Sequence, residues 1–201
     1  GAGAPTATAE PLAAGAAKES ATVCPPVSAD DDLRAIAEAW PSLPSAIKAG
    51  ILAMVKAATQ YLRSVTDYRG FDNTEGWRHG VAHGSDWLLQ LALNPGVERA
   101  QLDQILEAIA TQVVPESGHA YVFGEPGRLA RPVLYIAKRG LLSEAEWTTW
   151  FSALPARIGD ASQAYSNTDW LARRHDLLAF LTGLYLEADQ SPDPQIQALK
   201  V

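Results

Sequence analysis

The sequence predicts an all-α domain of stacked antiparallel helices. Six segments repeat apolar residues at helical spacing, and connections rich in Gly, Pro and polar residues separate them. No segment sustains the period-two alternation of a half-buried strand, so no sheet is expected. With 201 residues the chain is long enough for one continuous core.

Residues 1 to about 28 are mostly Ala, Gly, Thr and Pro, with few large apolar side chains. Such a stretch buries too little surface to offset its ordering entropy and reads as a disordered tail. One helical domain is expected over 29–190, with a C-terminal tail over 191–201. Helical patterning runs from Asp30 to Trp40 and breaks at Pro41-Ser42-Leu43-Pro44. The first full segment spans about Ser45 to Val65, with Ile47, Ile51, Met54, Val55, Ala58 and Leu62 in helical register. The second runs from about Gly76 to Leu93. The third, about Val97 to Val114, carries Leu102, Ile105, Leu106, Ile109 and Val113 on one face. The fourth runs from about Gly127 to Arg139, contains Pro132, and stops at Gly140, suited to a left-handed cap. The fifth opens on Ser143-Glu144-Ala145-Glu146, a capping-box pattern, and the sixth runs from about Thr168 to Glu187.

A net charge of −7 with no basic block argues against nucleic acid as a partner. Cys24 is the only cysteine, which excludes an internal disulfide and a thiolate metal cluster. No run approaches the length of a membrane span. The Gly at position 1 reads as a processed or engineered start, with no signal-type segment left to recognise.

The connections are unequal. Asn94-Pro95-Gly96 and Gly140-Leu141-Leu142 are short; Thr66 to Glu75, Pro115 to Pro126 and Gly159 to Asn167 are long. If successive helices alternate in direction, the three long connections gather at one end, where a rigid stack would present binding residues.

The second segment opens next to that end. On a helix, His79, His83, Asp86 and Gln90 fall within about 60° of one another, with Trp77, Val81, Leu88 and Ala92 on the opposite side. Three readings compete for this strip. It is a hydrogen-bonded face that orients the loops, or a divalent-metal site built from His79, His83 and Asp86, or the floor of a groove for an organic or peptide ligand. The metal reading lacks the Glu of a His-Glu-x-x-His motif, since Gly80 stands there. The long connections add Asp67, Arg69, His119, Tyr121, Glu125 and Arg128 as binding candidates, with Trp77 where the first of them closes. Arg128 in the first turn of a helix opposes the dipole, so a carboxylate from Glu125 or Asp67 is expected beside it. His175 and Asp176 are sequence neighbours and diverge by about 100°, which excludes a direct dyad. No activated nucleophile, phosphate loop or dinucleotide fingerprint is present.

Asp67-Tyr68-Arg69-Gly70-Phe71 followed by Gly76-Trp77-Arg78-His79-Gly80-Val81-Ala82-His83-Gly84-Ser85-Asp86 resembles the signature of the domain of unknown function 2785 family, an uncharacterised bacterial family. Gly124-Glu125-Pro126-Gly127-Arg128-Leu129-Ala130 is similar to its second marked segment, and Phe180-Leu181-Thr182-Gly183-Leu184-Tyr185 to its last helix. The likeness covers roughly Gly50 to Glu187. It implies a HEAT-like α-solenoid or α/α superhelix and brings no established activity. Family members usually carry further helices upstream, so a shortened N-terminal side here would bare the first helix and favour self-association. Some relatives look exported, which favours a periplasmic or secreted location.

These readings converge on a binding or scaffold domain with a ligand groove at the long-loop end. The alternative is a metal-dependent hydrolase using His79, His83 and Asp86.

Overall fold

Pro44 closes the 3-10 turn Trp40–Ser42 and launches helix α1, Ser45–Ser64. The computed structural model describes residues 38–200; the 1–28 tail and most of the Asp30–Trp40 stretch lie outside that range. Val55, Ala58, Thr59 and Leu62 are the buried face of α1. Ile47, Leu52, Met54 and Tyr61 are exposed, so its helical register is right while its N-terminal half lies bare. That exposure follows from packing: α1 touches only α2 (Gly80–Leu93) and α3 (Arg99–Val113) extensively. Gly84 lets α1 and α2 close together, because a Cβ there would sit 3.0 Å from Leu62.

Leu102, Ile105, Leu106, Ile109 and Val113 are all buried on α3, as the periodicity predicts. Each such side chain contributes about 1.5–3 kcal/mol by leaving water. Helix α4 (Glu125–Lys138) packs most extensively on α2 and α6 (Thr168–Gln190), and less so on α3. It starts two residues earlier than the sequence suggests, with Glu125 and Pro126 in its first turn, and Gly140 beyond its end has φ 62°. Helix α5 (Glu144–Ala153) opens on the expected capping box, in which Ser143 and Glu146 satisfy each other's backbone donors. Arg99 beside Glu146, aided by Ser143, holds that carboxyl down at about 2. The 3-10 turns Pro155–Ile158 and Ala161–Gln163 lead to α6, capped by the Asn167 side chain. The segment read as a C-terminal tail carries the short helix α7, Pro194–Gln197, and buries Leu199.

The expectation of no sheet is corrected. Strands β1 (Phe71–Asp72) and β2 (Gly76–Trp77) form an antiparallel ribbon, pairing Phe71 with Trp77 and Asp72 with Gly76. Asp72 Oδ1 accepts from the backbone N–H groups of Thr74 and Glu75, and Gly76 supplies the positive φ that the turn needs. Two-residue strands are too short to show alternation. The ribbon also delays α2, which begins at Gly80 rather than Gly76.

Contacts sort the connections by end. Arg139 donates to the carbonyls of Ala92, Asn94 and Pro95, and Arg99 reaches the carbonyl of Leu141, so the two short connections are tied to each other. Tyr68 of the first long connection stacks on His119 of the second. Gly118 of the second lies against Asp169, where the third delivers α6, and Arg173 bonds the carbonyls of Glu116 and Ile158. Arg139→Ala removes a donor from three carbonyls at and just beyond the C-terminal end of α2, of which Asn94 O keeps the Val97 N–H. It is expected to cost about 2 kcal/mol in chemical denaturation, and a loss below 0.5 kcal/mol would remove the staple's importance.

Candidate functional site

His79 is the hinge of the long-loop end. Its backbone N–H donates to Arg69 O, its carbonyl accepts from His83 N–H, and its φ of 34° is left-handed. A non-glycine residue held there carries strain that its surroundings must offset. The surroundings are specific: the imidazole stacks on Trp77 at 4.9 Å, and its Nε2 lies 3.2 Å from Glu125 Oε1, off the line of a hydrogen bond. Because His79 precedes α2 in a non-helical conformation, the expected four-residue strip begins instead at His83. His83 and Gln90 are exposed and Asp86 is half-buried. Trp77 is corrected too. It lies on β2, 57% exposed, with its edge to Phe71 and Phe123, rather than on the core side of a helix.

Glu125 is the buried anchor of the second long connection. Its Oε2 accepts from the N–H of Phe123, two residues back, and its side chain is almost fully enclosed. The carboxylate also occupies the first turn of α4, where the helix dipole favours negative charge. Asp176, on α6, buries a second carboxylate: Oδ1 accepts from Tyr121 N–H at 2.8 Å while Oδ2 has no protein partner. Burial pushes the Asp176 carboxyl up to about 6; Glu125 adds to the rise, and the Tyr121 N–H and His175 oppose it. The Tyr121 hydroxyl donates to the carbonyl of Gln112, 3.0 Å away, and burial drives its phenol far above the usual range. Gln112 in turn donates to Leu62 O and Val65 O at the end of α1.

Predicted site residues therefore fall into separate groups. Trp77, His79 and Glu125 come together, with His83 at 6.2 Å from His79, ring to ring. His119 and Tyr121 meet around Tyr68. Asp86 pairs with Arg128 through both carboxylate oxygens, at 3.2 and 3.1 Å. That corrects the expectation that Glu125 or Asp67 compensates Arg128. Arg69 pairs with Asp67 and with Glu75 beside the exposed ribbon, and its side chain bonding Asp67 holds that carboxyl at about 2. With Asp86 engaged by Arg128, His79, His83 and Asp86 do not form a ligand set. Among the described residues, no three His, Cys, Asp or Glu side chains group to hold a metal ion. No described helix is long and apolar enough to cross a membrane.

Beside the Asp86–Arg128 pair lies a cleft of about 610 Å³. Helix α4 gives it Gly127, Arg131 and Tyr135, one stripe at four-residue spacing, together with Arg128. Phe123 and Gly124 border one end, Leu89 comes from α2, and Gly183 and Glu187 from α6. A Cβ on Gly124, Gly127 or Gly183 would meet nothing within 4 Å. Of these lining residues, Arg128 alone is a site candidate of the sequence reading. The signal available in the sequence was Gly183 inside a helix.

The family model described as a protein of unknown function (DUF2785) matches residues 47–186. The chain belongs to this family. Its matched span runs from α1 to near the end of α6 and takes in both buried carboxylates and every residue lining the cleft except Glu187. Searches of the curated proteins and of solved structures found no match.

Proposed function

We propose that this DUF2785 domain is a binding module that holds a small ligand in the cleft between α2, α4 and α6. The observation that carries the reading is a pair of helical glycines lining the cleft, Gly127 in the first turn of α4 and Gly183 inside α6, where a Cβ would meet nothing within 4 Å. Glycine inside a helix costs about 1 kcal/mol relative to alanine, so Gly183, which no close packing requires, favours a role in keeping space free. The cleft volume lies within the range of ligand pockets, and aromatic, apolar and charged groups line it together. The order of helix contacts, α2 to α4 to α6 on one side and α1 to α3 on the other, supports a HEAT-like two-layer stack as the frame. The bare apolar face of α1 supports self-association through that end. The pairing of Asp86 with Arg128 favours the binding reading over the alternative of a metal-dependent hydrolase using His79, His83 and Asp86.

The test is an NMR screen of the full chain with phenol, indole, benzoate and benzylamine. Amide shifts are expected to cluster on Gly124, Gly127 and Gly183. Gly183→Leu is expected to fold with an unchanged or slightly raised Tm, since leucine is the better helix former, and to abolish the shifts at Gly124 and Gly127. Shifts that cluster elsewhere, or that survive Gly183→Leu, would sink the reading.

A further inference from the structure

Two side chains of opposite sign stand unpaired on different walls of the cleft. Arg131 comes from α4 and Glu187 from α6, both exposed, and neither forms an ion pair with any described residue. Arg69, Arg78, Arg99, Arg128 and Arg157 have carboxylate partners and Arg63, Arg139 and Arg173 bond backbone carbonyls; of Arg131 and Arg174, which show neither kind of partner among the described residues, Arg131 lines the cleft. Arg128 stands one turn before Arg131 and is oriented by Asp86 through Nη1. Phe123 and Tyr135, 41% and 39% exposed, add aromatic surface to the same space.

We infer that the cleft takes a small amphoteric ligand, with a carboxylate on Arg131, an ammonium on Glu187 and an apolar portion against Phe123 and Tyr135. The inference rests on the cleft reading above and names its ligand class. A guanidinium fork matches the two oxygens of a carboxylate, and Arg128 adds positive potential on the same helix face. Glu187 accepts from an ammonium and disfavours a ligand that is only anionic. A ligand bearing both charges satisfies the two walls at once, whereas a singly charged one leaves one wall opposed.

Four probes that share a phenyl ring and differ in their charged groups separate the contributions: phenylalanine, phenylacetate, phenethylamine and 2-phenylethanol, titrated into the full chain at low salt. The amides of Gly124, Gly127 and Gly183 report binding. Phenylalanine is expected to bind roughly two- to fivefold tighter than phenylacetate or phenethylamine, the scale of one half-exposed ion pair. Arg131→Gln is expected to bring phenylalanine down to the level of phenethylamine, and Glu187→Gln to that of phenylacetate. Both positions are exposed, so the variants should keep the parent Tm. If 2-phenylethanol matches phenylalanine, or neither variant changes affinity, the amphoteric class falls while the cleft stands. If no probe shifts the glycine amides, this ligand class is wrong. If phenylalanine binds equally well to Gly183→Leu, the cleft itself is wrong.

Discussion

Glu125→Ala is expected to be the most damaging single change at the long-loop end, lowering stability by about 3 kcal/mol in urea denaturation. The carboxylate is 2% exposed, accepts the Phe123 N–H at 3.0 Å and faces His79 Nε2 at 3.2 Å. Alanine leaves the part-buried Phe123 N–H without its acceptor, which costs about 1–3 kcal/mol, and takes away the carboxylate that faces the buried imidazole. It also removes a negative charge from the first turn of α4. His79 then keeps its left-handed backbone with one less contact to offset the strain. Glu125→Gln, which retains an acceptor for Phe123 N–H, is expected to recover part of the loss. A loss below about 1 kcal/mol in the alanine variant would mean that the carboxylate does not anchor the connection.

Asp176 is expected to make the stability of the domain fall as pH rises from about 4 to about 6. Its folded-state carboxyl titrates near 6, above the ordinary 3.8, so the fold prefers the neutral acid. A raised pKa gives a contribution present in full below the unfolded-state value and lost as pH climbs through the folded-state value. That rise, from 3.8 to about 6, corresponds to roughly 3 kcal/mol between those limits. Asp176→Asn keeps an acceptor for Tyr121 N–H while removing the titration. Its stability relative to the parent should therefore improve on going from pH 4 to pH 7.5, by about 1–3 kcal/mol. Asp176→Ala loses the acceptor as well and should be destabilised throughout. Parallel pH profiles for parent and Asp176→Asn would refute the raised carboxyl.

The helices were legible because burial on one side leaves a period in the sequence. Leu102 to Val113 and the Ser143–Glu146 capping box state their structures locally. The ribbon from Phe71 to Trp77 was not legible, because two residues per strand cannot alternate enough to be seen. The left-handed turn at His79 carries no mark either, since neither glycine nor asparagine stands there. A helical wheel that included His79 therefore built a strip that begins one turn too early. Arg128 finds Asp86, 42 residues away, instead of the carboxylates nearer to it in the chain. Asp176 could be placed on a helix, but its burial depends on where the second long connection lies. Such pairings are properties of the folded stack.

Gln112 joins parts of the chain that are far apart in sequence. Its side-chain nitrogen donates to Leu62 O and Val65 O, and its side-chain Oε1 accepts from the hydroxyl of Tyr121, whose own N–H is held by Asp176. The last turn of α1, the end of α3, the second long connection and the middle of α6 are thus linked in series. In a stack of helices such links decide which pieces open as one unit. Amide hydrogens near Val65 and Tyr121 should exchange with solvent at matched rates, and Gln112→Leu should accelerate both sets together.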